Sequence, residues 1–219
     1  MSAHTFVDLF SGCGGLSLGL MNAGWHGLFA IEQSPDAFRT LLHNLVNKND
    51  HNIHRSRFEW PEWLEKGPHE IADFVRTQKR RLGNMRGDIQ LVAGGPPCQG
   101  FSFAGKRTGS DPRNELFKHH LKVVDILQPE LVLMENVQGI DTAFGASKKQ
   151  RKKQRGRPRK SYANRIRETL EEHGYEVQQQ VLKAADFGVP QFRPRYFTLG
   201  IRRDLLGGLE GPSCAGVGK

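Results

Sequence analysis

Strands alternating with helices along the chain predict an α/β fold built on a parallel sheet. Distinctive polar groups follow the predicted strands: glycines after the first, Glu32 after the second, Cys98 just past a later one, and Glu135 after the next. In such sheets ligands bind beyond the carboxyl ends of the strands, so this coincidence marks a candidate site. The 219 residues suffice for one domain with a sizeable core, and no internal repeat is visible.

The elements follow in order. Thr5 to Phe10 is a short apolar run ending in a Gly-rich turn, and reads as a buried strand. Leu16, Leu18, Leu20 and Met21 predict a helix closed by Gly24, and Gly27 to Ile31 a second strand. Ser34 caps the next helix and Pro35 fits its first turn; Ala37, Phe38, Leu41, Leu42, Leu45 and Val46 keep the helical period. His51 to Gly87 is the least legible stretch, with a helix expected around Ile71, Phe74, Val75 and Leu82. Ile89 to Ala93 reads as a strand ending in GGPPC. Asp111 and Pro112 start a helix with Leu116, Phe117, Leu121, Val124 and Leu127 on its inner face, ended by Gln128-Pro129. Leu131 to Met134 is a strand followed at once by Glu135. Ser161 starts a helix through Ile166 and Leu170, stopped by Gly174. Val177 to Leu182 and Tyr196 to Ile201 form a final strand pair.

Composition narrows the class. MSAHTFVDLF lacks the pattern of a signal peptide, and no apolar stretch approaches the ~18 residues of a membrane span, so no membrane partner is expected. Cys13, Cys98 and Cys214 show neither paired nor metal-ligand spacing, which fits a reducing cytoplasm and no metal. The net charge is +9, and its distribution is uneven. Lys148, Lys149, Arg151, Lys152, Lys153, Arg155, Arg157, Arg159 and Lys160 form a basic run without an acid. Removing those nine from 32 leaves 23 basic residues against 23 acidic ones, so the excess sits in this run. Such a block either binds nucleic acid or is a solvated loop.

Four constellations carry possible chemistry. In DLFSGCGGLSLG (Asp8 to Gly19), Gly12, Gly14 and Gly15 let the backbone turn tightly and approach a ligand. The spacing is not that of a dinucleotide fingerprint. Glu32 offers two acceptor oxygens to ribose hydroxyls, or is a solvated strand end. In GGPPCQGFS (Gly94 to Ser102), Cys98 lies in a rigid loop at a strand end; buried cysteines are usually inert, but this setting favours a nucleophile. In MENV, Glu135 follows an apolar strand, where burial favours the acid form and proton donation; the alternative is an acid in water. In QFRPR (Gln191 to Arg195), a proline fixes the directions of Arg193 and Arg195, which suit an anion or a carbonyl oxygen, or are plain surface charge.

These blocks, in this order, resemble the DNA cytosine-5 methyltransferase family. DLFSGCGGLSLG is similar to its cofactor motif, GGPPCQGFS to its catalytic-cysteine motif, ENV to its glutamate motif and QFRPR to its Gln-x-Arg-x-Arg motif. RNELF (Arg113 to Phe117) and DFGVPQ (Asp186 to Gln191) also look like family segments, and the resemblance spans roughly Phe6 to Arg203. It implies a Rossmann-like sheet with flanking helices that binds S-adenosyl-L-methionine, in a catalytic domain of residues 1–203 with a basic insertion at 147–160 and a tail at 204–219. It implies Cys98 as nucleophile on carbon 6 of a flipped cytosine, Glu135 at ring nitrogen 3, and Arg195 with Arg193 at the carbonyl oxygen. The cofactor would lie against Phe10, Gly12, Cys13, Gly14, Gly15 and Leu16, with its ribose on Glu32 and Pro97 near the reacting centre.

Three departures from the family pattern stand out. The acidic residue expected at the cofactor's adenine has no clean match in Ile53 to Leu64, where Glu59 is the candidate. A target-recognition domain and closing motif are not recognisable, so the chain reads as a truncated copy, a fragment, or one subunit of a split enzyme, and in the last case a second polypeptide carrying both is a partner beside DNA. Arg155 to Lys160 is similar to a minor-groove AT-hook core, with a phosphate-binding arm as the plainer reading. Two other functions compete: a non-catalytic paralogue that binds DNA, and a methyltransferase acting on cytosine in tRNA.

Overall fold

A computed structural model of the chain describes residues 4–47, 57–97, 115–141 and 161–208. Cys98, Arg113, the basic run from Lys148 to Lys160 and Cys214 lie outside the described residues.

Apolar residues in short runs build the sheet. In β1 (Thr5–Leu9) every residue from Phe6 onward is buried, as is every residue of β3 (Leu91–Gly94), so these two strands lie at its centre. With β2 (His26–Ile31), β4 (Leu131–Val137), β5 (Tyr175–Lys183) and β6 (Pro194–Arg202) they form one six-stranded sheet in the order β2-β1-β3-β4-β6-β5. β1 pairs with β2 and β3, and β3 with β4, all parallel. β6 pairs antiparallel with both β4 and β5. The sheet is therefore mixed rather than wholly parallel. The reason is local: residues 184–193 join β5 to β6 by a connection too short for a crossover, which forces the second strand to reverse.

That reversed strand also lengthens β4. The sequence ends this strand at Met134, whereas pairing of Glu135 with Phe197, Asn136 with Tyr196 and Val137 with Arg195 carries it three residues further. Glu135 is thus a strand residue.

The helices form where caps and apolar periods predict them. α1 (Gly15–Asn22) starts at Gly14, whose φ is +88°; a Cβ there would also come within 2.7 Å of Leu45 Cδ1. Only glycine meets both demands. α2 (Pro35–Leu41) is capped by Ser34, whose Oγ accepts from the N–H of Ala37, and it widens into a π turn over Leu42–Val46. α3 (Ile71–Asn84) buries Ile71, Phe74, Val75 and Leu82. It packs on α4 (Glu115–Leu127), placing both on one face of the sheet. α5 (Tyr162–Glu172) begins at Ser161, whose Oγ accepts from Asn164 N–H at 3.1 Å, and stops before Gly174 at φ +90°.

The illegible stretch is an aromatic cover. Residues 57–70 contain no strand, yet Phe58, Trp60 and Leu64 are buried. Phe58 packs tilted against Phe6 at 5.7 Å between ring centroids and Trp60 meets Phe38 edge to face at 5.9 Å, which closes the core beside β2.

Candidate active site

The carboxyl ends of β1, β2 and β3 open into a cleft of about 240 Å³, lined by Phe10, Ile31, Glu32, Gln33, His69, Ile71, Gly95 and Pro97. Glu32 organises it. One carboxylate oxygen accepts from the N–H of Gly12 at 2.8 Å and the other from the N–H of Ser34 at 2.7 Å. The turns after β1 and β2 are thereby held on a single side chain, whose free lone pairs remain for hydroxyls of a ligand. Phe10 adopts φ +60°, a left-handed conformation unusual outside glycine, and it faces the cleft. Such strain concentrates at ligand sites.

Of the residues expected at a cofactor, Phe10, Glu32 and Pro97 line the cleft and Gly12 braces Glu32. Gly14 caps α1, while Gly15 and Leu16 begin that helix and Cys13 is an exposed free thiol; none of the four lines the cleft. Sequence reasoning missed Ile31, Gln33, His69, Ile71 and Gly95. Gln33 and Gly95 adjoin residues already singled out. His69 and Ile71 come from the illegible stretch, brought in by a hydrogen bond from His69 N–H to the Glu32 carbonyl at 2.8 Å.

Glu59 is a different case. Its N–H donates to the carbonyl of Gly27 at 2.9 Å and its carboxylate stands 3.9 Å from His26 Nδ1. Both partners open β2, five residues before Glu32, so Glu59 sits at the opposite end of the sheet, roughly 16 Å away. It cannot reach a ligand in the cleft.

A second group of side chains adjoins the cleft on β4 and β6. Arg195 Nε lies 2.7 Å from Glu135 Oε1, with both side chains partly shielded. The other oxygen of Glu135 rests against Gly95, where a Cβ would come within 3.3 Å. Next along β4, Asn136 is buried and its Nδ2 donates to the carbonyl of Pro96 at 3.0 Å. β4 thus holds the Gly-Gly-Pro-Pro segment from two adjacent residues, immediately before Cys98. Arg193 precedes β6 and is exposed, making no ion pair among the described residues. The two arginines thus differ in setting, Arg193 exposed and Arg195 paired with Glu135.

Two buried titratable groups flank the site. Burial pushes the Asp8 carboxyl up to about 7; the hydrogen bond from Ser17 works against this, and the charge of Glu32 adds to it. His120 of α4 is pulled down to about 4 by burial, and its ring packs where a Cβ on Gly94 would lie within 2.9 Å.

Similarity to known proteins agrees with this arrangement. The family model for C-5 cytosine-specific DNA methylase matches residues 4–208. Type II methyltransferase M1.HphI of Haemophilus parahaemolyticus is 39% identical over 206 residues, covering 91% of this chain and 46% of its own. Type II methyltransferase M.AquIA of Picosynechococcus is 37% identical over 198 residues, covering 90% of this chain and 71% of its own. A solved E. coli prophage protein, described as a DNA modification methyltransferase, superposes with a TM-score of 0.63 at 29% identity over 93% of this chain and 48% of that one. The Dnmt2 methyltransferase of S. pombe shares the fold, with a TM-score of 0.54 at 22% identity over 92% of this chain and 50% of that one. The chain spans about half the length of most of these relatives. By the match over residues 4–208 and by these identities, the chain belongs to the C-5 cytosine-specific DNA methylase family.

Proposed function

We propose that the chain carries the catalytic centre for methyl transfer to carbon 5 of cytosine in DNA, with Cys98 as nucleophile. The observation that supports this most strongly is the Glu135–Arg195 pair set against the loop that leads into Cys98.

The cleft suits S-adenosyl-L-methionine. The Glu32 carboxylate is fixed by two N–H groups and is positioned to accept from ribose hydroxyls, while Phe10, Ile31 and Ile71 offer apolar walls to an adenine ring. His69 and Ile71 take the adenine side, in place of Glu59. When bound, this cofactor supplies a methyl group made electrophilic by the sulfonium.

The protein's part is to make carbon 5 a nucleophile. The Cys98 thiolate adds to carbon 6 of a flipped cytosine, and its electron pair loads the ring so that carbon 5 can form the new carbon–carbon bond. Glu135 stabilises a proton at ring nitrogen 3, and Arg195 holds the carbonyl oxygen while keeping Glu135 oriented. Loss of the carbon 5 proton to a base then expels the thiolate and restores the double bond. The basic run Lys148 to Lys160 serves DNA phosphates.

The test is radiolabelled methyl transfer to unmethylated genomic DNA, with the chain alone and with any protein encoded beside it. Incorporation is expected for the wild type in at least one arrangement. Cys98→Ala should abolish it and leave cofactor affinity within about twofold by calorimetry, since the nucleophile acts only in the chemical step. Turnover retained by Cys98→Ala contradicts the assignment.

A further inference from the structure

The outer sides of α3 and α4 form a cationic face that the proposed chemistry does not use. Lys79 and Arg80 on α3, Arg86 just past it, and Lys118 and Lys122 on α4 are all exposed. The two helices pack side by side, so these cations share one surface. The acids whose side chains are described on these helices are already engaged, Asp73 with Arg76 at 2.8 Å and Asp125 with His173 at 3.3 Å. Lys79, Arg80, Arg86 and Lys122 have no ion-pair partner among the described residues. Arg81 is set apart, since its guanidinium lies 5.5 Å from the Trp63 ring centroid and donates to the Trp63 carbonyl.

Helix stability accounts for only part of this charge. Arg80 near the end of α3 suits the negative pole of that helix. Lys118 stands near the positive pole of α4, where the dipole opposes a cation, and Lys122 is in mid-helix and gains nothing from it. Gly83 is an independent observation on the same surface. Glycine inside a helix costs about 1 kcal/mol relative to alanine. Yet a Cβ on Gly83 would meet no atom within 4 Å, and its φ is not left-handed, so nothing inside the protein calls for glycine there. One turn past Lys79 and Arg80, it bares backbone that a bulky anion can approach. The face also lacks an apolar centre. The exposed large apolar side chains among the described residues are Phe187, Val189, Phe192 and Leu205, none of them on these helices. A protein-docking face needs such a centre and is poor in lysine. Cations without apolar anchors instead match the phosphates of a nucleic-acid backbone.

We propose that the outer face of α3 and α4 is a second landing surface for DNA phosphates, separate from the site that takes the target base. α3 starts at Ile71 in the cleft wall, and Arg80 lies roughly 14 Å further along the helix axis. The helix runs toward the amino end of β3, so the surface descends the flank of the sheet away from Glu135 and Arg195. It holds DNA of any sequence and raises the local concentration of substrate without touching the reacting base. The proposal rests on DNA being the substrate.

The experiment is fluorescence anisotropy of the whole chain with a labelled duplex across a salt series. Lys79→Gln, Arg80→Gln and Lys122→Gln combined should weaken binding on the order of tenfold at low salt and flatten the salt slope by about three ion equivalents. A control that loses the same charge at exposed positions elsewhere, Lys66→Gln with Arg165→Gln and Arg203→Gln, should keep the wild-type slope. Gly83→Ala should weaken binding while Tm rises, because alanine favours the helix. In radiolabelled methyl transfer, with any protein that activity requires, the triple variant should raise KM for DNA and leave kcat unchanged. A triple variant that matches the wild type, or is matched by its control, overturns the proposal and leaves the methyltransferase reading intact. A fall in kcat with KM for DNA preserved overturns it as well, since these residues would then act in the chemical step. An unchanged slope with weaker binding of an acidic protein that activity requires assigns the face to that protein instead. A wild-type chain that neither binds nor methylates DNA, with or without such a protein, overturns both readings.

Discussion

At the residue scale, the site is built on carboxylates in three different settings. Glu32 spends its two oxygens on backbone N–H groups, Glu135 spends one on Arg195, and Asp8 is fully buried with Oδ1 lacking a partner among the described residues. The Asp8 setting has a measurable consequence. Its folded-state carboxyl titrates near 7, above the ordinary 3.8, so its stabilising effect is complete below about pH 4 and is lost as the pH rises toward 7. His120, pulled from 6.5 to about 4, acts oppositely and adds stability as the pH rises between those values. Denaturation of the wild type alone will therefore show partial cancellation, whereas comparison with Asp8→Asn isolates the carboxyl. From pH 4 to 8 the wild type should lose on the order of 4 kcal/mol relative to Asp8→Asn. A difference that stays constant across this range would mean that Asp8 titrates normally.

At the element scale, what the sequence made legible and what it hid have separate physical causes. Ser34, Gly24 and Gly174 punctuate helices through local chemistry, so those boundaries could be read directly. Phe10, Glu32 and Pro97 reach the cleft because strand ends deliver them there. Residues 57–70 were illegible because no period organises them; Phe58 and Trp60 are placed by tertiary packing, and His69 by a backbone bond to Glu32. The extension of β4 through Val137 was hidden for a related reason, since a partner distant in sequence supplies it. The extension matters because it puts Asn136 under the Pro96 carbonyl. Under the proposed mechanism Asn136 is a positioning residue that acts through the Pro96–Pro97 segment leading into Cys98. Asn136→Ala should lower kcat by about tenfold or more, with KM for the cofactor little changed, because the lost hydrogen bond orients the nucleophile rather than the cofactor. An equal rise in cofactor KM with kcat preserved would make Asn136 part of the binding cleft instead.

At the scale of the whole molecule, a mixed sheet separates two tasks. The parallel strands β1, β2 and β3 open the cleft, and β4 with the reversed β6 brings Glu135 and Arg195 against its rim. The described body of the chain thus sets an ion pair beside the segment that leads to Cys98, and the central claim is that Cys98 bonds to the base. The most direct test uses a duplex in which 5-fluorocytosine replaces cytosine, since fluorine at carbon 5 cannot leave as a proton and the thiolate cannot be expelled. Incubation with cofactor, and with any protein that activity requires, should give a covalent protein–DNA adduct that mass spectrometry maps to Cys98. Methylation of normal DNA by a preparation that forms no such adduct, or an adduct mapped to another residue, would contradict the account.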